Sequence, residues 1–333
     1  MANLLYTSVS KFGGVNSVYH KVVSSFPKGM QMAFAYGSGV FKQEGQKDTK
    51  QNMMDFIFVV NEPAVWHEQN LKQHASHYSF LKRFGPNVIT MVQESAAGLY
   101  FNPIVPFGDR VIKYGVISTK TFTKDLVQWN KLYVSGRLHK PVMIIKPPDD
   151  DTVKDALKTN LESAIHFSLM FLPEKFSELD LFTKVASLSY TGDFRMLFAE
   201  DPFKVENIVS AGIDNFRVLY QPILLSTDYL YWDEKEKSFE QEYTYNSRLY
   251  HLDKIPGYFL GRIGRRDVET VYSMRDVLAQ DSQCNNLLHD SLDEIVGDSS
   301  KKQSLKGILT GGLFRSSRYG SSKCNKWLKS GKK

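Results

Sequence analysis

The sequence predicts an α/β (α+β) chain with a small mixed module first, a largely helical region second and a basic tail last. Three observations carry this. Before residue 146, short apolar runs bounded by Gly and Pro alternate with segments of helical spacing. Helical spacing then dominates residues 151–187 and 270–292. From Ser300 to Lys333 there are ten Lys or Arg and no acid. The expected divisions are residues 1–145, 146–298 and 299–333.

Each element follows from its local pattern. Val15, Val18, Tyr19, Val22 and Val23 recur at helical spacing, and Pro27-Lys28-Gly29 ends that segment. Residues 30–36 form a short apolar run closed by glycine, which reads as a buried strand. Residues 40–52 are polar and read as a loop, and residues 53–60 as a second buried strand with one charge, Asp55. Residues 63–83 read as an amphipathic helix with a polar face bearing His67, His74 and His77. Asn102-Pro103-Ile104-Val105-Pro106-Phe107-Gly108 reads as a rigid loop, residues 110–118 as a strand and residues 126–137 as a helix. Pro147-Pro148 followed by three Asp punctuates the chain and suits a helix N-terminus. The helix from 151 to 187 should break near Pro173. Residues 217–232 are apolar and fit strand or helix, and residues 233–242 are charged and exposed.

Composition narrows the function classes. With 42% hydrophobic and 23% charged residues, the chain resembles an ordinary globular protein. No apolar run approaches the length of a membrane span, so any membrane contact should be peripheral. Cys284 and Cys324 give neither a CxxC pair nor a disulfide framework. The net charge of +6 hides an asymmetry: without the tail, 32 basic and 36 acidic residues remain. A mildly acidic body argues against a nucleic-acid groove, and a basic tail argues for contact with an anionic surface. In that tail Leu305, Ile308, Leu309 and Leu313 recur at helical spacing beside Lys301, Lys302 and Lys306, with Trp327 and Leu328 as a further anchor. The alternative is a disordered tail. No acid precedes Glu44, while Lys11, Lys21, Lys28 and several Ser do. That start suits a mitochondrial presequence or simply the first helix.

The chemistry-bearing motif is Tyr36-Gly37-Ser38-Gly39 followed by Asp55. Gly37 and Gly39 let the backbone approach an anion, and backbone N–H groups with the Ser38 hydroxyl can hold phosphate oxygens. Alternation puts Asp55, Ile57 and Val59 on one strand face. A carboxylate on an apolar strand needs a partner, and Mg²⁺ held with substrate phosphates is a suitable one. A turn cap or a Lys partner is the bland alternative. The three histidines lack a companion Cys or acid, so a solvated face explains them better than zinc. Gly261-Arg262-Ile263-Gly264-Arg265-Arg266 reads as a basic loop, since it lacks the context of a dinucleotide fingerprint.

Glycine-serine followed by an acidic strand resembles the nucleotidyltransferase superfamily of the polymerase-beta type. Longer strings are more specific: Tyr36-Gly37-Ser38-Gly39-Val40-Phe41, Asp55-Phe56-Ile57, Ile112-Lys113-Tyr114-Gly115-Val116 and residues 132–142. Ser189-Tyr190-Thr191-Gly192-Asp193-Phe194-Arg195 and Glu200-Asp201-Pro202 complete the set. Over residues 30–267 the chain resembles the mitochondrial CDP-diacylglycerol synthases of the translocator assembly and maintenance family. The resemblance implies a nucleotidyltransferase domain followed by a winged-helix-like domain. It implies a reaction of CTP with phosphatidic acid, giving CDP-diacylglycerol and pyrophosphate for cardiolipin and phosphatidylglycerol synthesis. It also implies Mg²⁺ dependence and peripheral attachment to the matrix face of the mitochondrial inner membrane. By that match Ser38 would contact the triphosphate and Asp55 the metal, with Gly37 and Gly39 as the flanking phosphate-binding candidates.

Two polyanions must meet in such a reaction, so charge neutralisation should dominate catalysis. Lys113 on a strand is the expected catalytic cation, and Arg137 and Lys140 are expected phosphate donors. The superfamily usually carries acid-x-acid on this strand, and here the second position is Ile57. A further carboxylate should come from elsewhere, with Asp109 and Asp193 as candidates. Rival readings are a nucleotidyltransferase acting on RNA or protein, and a non-catalytic membrane tether for translocator assembly.

Overall fold

The computed structural model describes residues 18–41, 52–198, 203–263 and 271–311. The proposed presequence start, Glu200-Asp201-Pro202, Gly264-Arg265-Arg266, Leu313, Trp327 and Leu328 lie outside the described residues.

The first unit runs α1 (Val18–Ser24), β1 (Met30–Tyr36), β2 (Met54–Val60), α2 (Pro63–His74), α3 (Gly85–Glu94), β3 (Tyr100–Phe107) and β4 (Arg110–Ser118). It closes with α4 (Thr119–Gln128), α5 (Ser135–Leu138) and β5 (Met143–Lys146). The strands form one five-stranded sheet in the order β3-β4-β2-β1-β5. Only β2 and β4 are parallel in it. Period-2 alternation sorts the side chains as the sequence predicts. Ile57 and Val59 pack with Phe34, Ile117, Phe122 and Leu126 on one face. Phe56, Phe58 and Val60 pack with Phe26, Trp66 and Tyr114 on the other.

The helix α6 (Asp151–Leu169) starts where Asp150 accepts a hydrogen bond from the Thr152 amide. Its Val153, Ala156 and Leu157 complete the core of the first sheet. Its Leu161, Ile165 and Phe167 belong to the core of the second unit. That unit continues with β6 (Lys175–Ser177), α7 (Glu178–Ser187), α8 (Arg195–Phe198), α9 (Lys204–Leu224), β7 (Leu230–Asp233) and β8 (Ser238–Gln241). It ends with α10 (Tyr245–Lys254), α11 (Gly257–Gly261), α12 (Val271–Gln280) and α13 (Cys284–Gly311). β6, β8 and β7 form a small antiparallel sheet beside these helices. The mixed α/β architecture is the one the sequence predicts. Among the described residues, no helix is long and apolar enough to cross a membrane.

Four local expectations need correction. Residues 102–107 are not a loop but part of β3, which sits at the sheet edge. There Pro103 and Pro106 cost no interior ladder bond, and a register shift with Ile104 at φ 52° absorbs the irregularity. Residues 63–83 are not one helix: α2 ends at His74 and two short 3₁₀ turns follow. Residues 126–137 break at Trp129, which is left-handed at φ 53°. Finally, the division expected at residue 299 falls inside α13, which continues to Gly311. Here Ser299, Ser300, Gln303, Lys306 and Thr310 are buried, whereas Leu305, Ile308 and Leu309 are exposed. Ser299 donates to the Lys131 carbonyl, Gln303 bonds the Ala97 amide and Leu99 carbonyl, and Lys306 donates to the Gln93 and Ser95 carbonyls. The helix thus docks on the first unit by its polar face. Lys306, expected on a lipid-facing surface, is turned inward.

Buried histidines mark both units. His67, expected on a solvated face, bonds Tyr78 Oη through Nδ1 and Gln93 Oε1 through Nε2, both at 2.8 Å. His166 and His251 face each other, Nδ1 to Nδ1, at 2.9 Å. Burial lowers His67 and His251 to about 4, and His139 and His166 to about 3, against 6.5 for a free imidazole. All four are therefore neutral in the folded chain near pH 7. Their folded values lie below the unfolded value, so their contribution is complete above pH 6.5 and is lost as pH falls toward 4. Each is expected to cost about 1.4 kcal/mol of stability per pH unit once the unfolded chain alone binds the proton. Urea unfolding at pH 7.5, 6 and 5 should show a midpoint that falls steeply below pH 6.5; a flat profile would contradict neutral burial.

Candidate active site

The end of β1 builds the candidate phosphate corner. Tyr36 is paired in register with Asp55, and Asp55 with Lys113, so three neighbouring strands deliver these side chains to one edge. The chain then turns through a short 3₁₀ segment, Gly37–Gly39, closed by the Val40 and Phe41 amides on the Gly37 carbonyl. Such a turn leaves its leading N–H groups without an acceptor of its own. Gly37 sits at φ +78°, which a side chain resists. At Gly39 a Cβ would lie 2.6 Å from the Met53 carbonyl oxygen, so glycine is required for the turn to lie against β2. Tyr19 Oη donates to the Gly39 carbonyl at 2.7 Å, and Asn52 Nδ2 to the Ser38 carbonyl at 3.1 Å. Ser38 is held between these clamps, half-buried.

Charged side chains gather at this corner. Asp55 Oδ1 is 3.6 Å from Lys113 Nζ, which also lies 4.5 Å from the centre of the Phe101 ring. The Asp55 side chain keeps 21% of its surface open, so it is reachable. The Arg137 guanidinium covers the Tyr36 ring at 4.2 Å and lies 5.5 Å from that of Tyr133. Burial pushes the Tyr36 hydroxyl up to about 12, against the pull of Arg137 and Lys113. Tyr36 Oη and Arg137 Nε are both buried without a hydrogen-bond partner among the described residues. Unpaired buried donors are costly, and a phosphate oxygen would satisfy both.

One helical turn on, Lys140 enters a cavity of about 60 Å³ lined also by Tyr133, Arg137, Asp193, Arg195 and Ser299. Lys140 donates to the Gly136 carbonyl at 2.8 Å and to Ser189 Oγ at 2.6 Å. Burial holds its ammonium well below the usual lysine range, and the positive charges of Arg137 and Lys204 add to the effect. Asp193 spends both carboxylate oxygens on Arg195. It is therefore committed to an ion pair, and Asp109 lies exposed in the β3–β4 turn. Neither joins Asp55 in a cluster: among the described residues no three His, Cys, Asp or Glu gather as a metal cage. One carboxylate beside an anion-binding turn still fits Mg²⁺, which takes few protein ligands and completes its shell with phosphate and water.

The residues Gly37, Ser38, Gly39, Asp55 and Lys113 thus come together, Arg137 joins them through Tyr36, and Lys140 lies one turn behind. The roles of Tyr36 and Tyr133 had no signal in the sequence beyond their place in the motif strings. Asp125 had none. It is buried in α4 and accepts four backbone N–H bonds, from Lys131, Leu132, Val134 and Ser135, and one from the Ser135 hydroxyl. Those bonds shape the segment that carries Tyr133 and starts α5, and so they aim Arg137.

Residues 19–326 match the profile of a protein family described as mitochondrial phosphatidate cytidylyltransferase. The chain belongs to that family. A Xenopus laevis phosphatidate cytidylyltransferase is 41% identical over 328 residues, covering 95% of this chain and 96% of that one. The human protein of that name is 43% identical over 311 residues, covering 88% and 67%. The Schizosaccharomyces pombe protein is 38% identical over 327 residues, covering 92% and 83%. A solved nucleotidyltransferase-like protein from Exiguobacterium sibiricum aligns over 88% of this chain and 75% of its own, at 11% identity and a TM-score of 0.23, too distant to bear on the site. Membership of the phosphatidate cytidylyltransferase family makes the chain a nucleotidyltransferase, the class in which a glycine-serine turn and a strand acid meet.

The Asp125 knot makes a prediction about this family member. Replacing Asp125 by Asn puts an amide among donors that need an acceptor. Asp125→Asn should lower stability by about 3 kcal/mol. Urea unfolding of the variant measures this, and an unchanged midpoint would remove the knot from the account.

Proposed function

We propose that this chain transfers the cytidylyl group of CTP to phosphatidic acid, making CDP-diacylglycerol and releasing pyrophosphate. The product would serve cardiolipin and phosphatidylglycerol synthesis in mitochondria. The observation that carries the site assignment is the corner of Gly37, Ser38 and Gly39 with Asp55, Lys113 and Arg137, in which Tyr36 Oη and Arg137 Nε lack hydrogen-bond partners among the described residues.

A phosphate oxygen of the lipid attacks the α-phosphorus of CTP as the bond to the β-phosphate breaks. The attacking group is already anionic near neutral pH, so no strong base is required. The barrier lies in holding two polyanions together, and the residues present address that. The backbone of Gly37, Ser38 and Gly39 cradles triphosphate oxygens. Lys113 and Arg137 offset their charge. Asp55 is the residue that would hold Mg²⁺, which when bound offsets phosphate charge. Lys140 sits among positive charges and gains its proton more readily once an anion lies beside it.

A lipid substrate calls for a membrane surface, and α13 supports peripheral contact. Its polar face is already used against the first unit, leaving Leu305, Ile308 and Leu309 outward beside exposed Lys301 and Lys302. We place the chain on the matrix side of the mitochondrial inner membrane, with CTP, phosphatidic acid and anionic lipid as partners and no nucleic acid.

The test is pyrophosphate release from CTP, Mg²⁺ and phosphatidic acid in anionic vesicles. Asp55→Ala should lower the rate about 100-fold or more, and chelating the metal should stop it. Full activity of Asp55→Ala would remove the metal role, and no release by the folded wild-type chain would sink the reaction itself. Changing Leu305, Ile308 and Leu309 to Ser should reduce co-sedimentation with anionic vesicles while leaving the melting temperature unchanged.

A further inference from the structure

The turn between α2 and α3 presents a second apolar surface that the reaction does not use. Its backbone is tightly held. Leu81 is buried with Tyr78, Ile89 and Tyr100, and the Leu81 amide donates to Ser79 Oγ. The Lys82 amide donates to the Ser79 carbonyl, and Gly85 at φ +80° passes the chain directly into α3. Against that fixed frame Phe80 and Phe84 stand outward, 51% and 61% exposed, with ring centres 6.4 Å apart. A rigid turn with two exposed aromatic rings is not explained by the fold's own packing.

Charge says what covers it. Lys82 and Arg83 lie exposed between the two rings, and neither has an acidic partner among the described residues. No Asp or Glu occurs from Gln69 to Gln93, in a body that is otherwise mildly acidic. Lys82 Nζ donates only to the Ala75 carbonyl at 3.3 Å, and aromatic rings flanked by cations without acidic partners suit the boundary between anionic headgroups and acyl chains. A protein partner would need about 800 Å² from each side, far more than two apolar side chains supply. α3, which the turn leads into, is itself joined to α13 at its far end, where Lys306 donates to the Gln93 carbonyl.

We propose that Phe80 and Phe84, with Lys82 and Arg83, form a second bilayer-contacting surface that inserts into anionic membrane. Two contacts on different elements fix the orientation of the chain on the membrane, which one helix alone does not. The proposal rests on the reading that the acceptor is a bilayer lipid, and its test does not use turnover, so either can fail without the other.

The experiment places an environment-sensitive fluorophore on the full chain through Phe84→Cys, with Cys324→Ser removing the other labelling site outside the described residues and Cys284 buried. Vesicles of phosphatidylcholine with phosphatidylglycerol should shift the emission to the blue and raise it, and vesicles of phosphatidylcholine alone should not. Lys82→Gln with Arg83→Gln should weaken partitioning about five-fold per charge, and Phe80→Ser with Phe84→Ser should weaken it without lowering the melting temperature. The proposal is overturned if the label stays water-exposed on protein that sediments with anionic vesicles. It is equally overturned if the label is already shielded without vesicles, which would assign the patch to a protein neighbour.

Discussion

The site depends on one buried carboxylate that takes no part in the chemistry. Asp125 would be costly in the protein interior without donors, and five converge on it. Meeting that demand bends residues 129–135 into a path with left-handed Trp129 and Leu132. The bend sets α5 against the sheet, and only from there can the Arg137 guanidinium reach the Tyr36 ring. The same segment is tied to the second unit: Trp129 Nε1 donates to Asn160, which in turn donates to the Ser135 carbonyl, and Tyr220 Oη donates to the His139 carbonyl. One buried acceptor and the donors it requires therefore organise a loop, a helix start and an interface.

The electrostatics of the corner follow from what is missing as much as from what is present. Lys140 has only neutral partners among the described residues, a carbonyl, a hydroxyl and the Tyr190 ring. Arg195 is matched by Asp193. The arrangement stores an unfavourable concentration of positive charge in a partly dry space, tolerable because the fold is tied down elsewhere. An anionic ligand, as proposed for this site, would relieve it on arrival and so turn repulsion in the free protein into affinity.

How much could be read from the sequence depended on how local the cause was. The strand bearing Asp55 was legible because period-2 alternation is a property of the strand alone. The glycine turn was legible because backbone strain selects glycine. β3 was missed because Pro103 and Pro106 signal a loop unless the strand is known to be an edge, and edge position is a tertiary fact. His67 was misplaced because its partners, Tyr78 and Gln93, lie 11 and 26 residues away. In α13 the periodicity of Leu305, Ile308 and Leu309 predicts an outward apolar face, and these side chains are exposed, but nothing in it predicts an inward polar face. The structure seats Ser299, Gln303 and Lys306 against backbone groups of the first unit, a use that hydropathy does not reveal. Asp125 could not be distinguished in sequence from any solvated Asp on a helix.

The helix α6 carries a mechanical consequence. Its first two turns belong to one core and its last turns to the other, and between Asp151 and Leu169 it contains neither glycine nor proline. A continuous rod clamped at both ends does not fold at its middle. The two units are thereby denied a clam-shell motion. Room for a nucleotide and a lipid headgroup has to come from side chains and from the segments around the rod, so the frame that holds the charges stays in register while the ligands exchange.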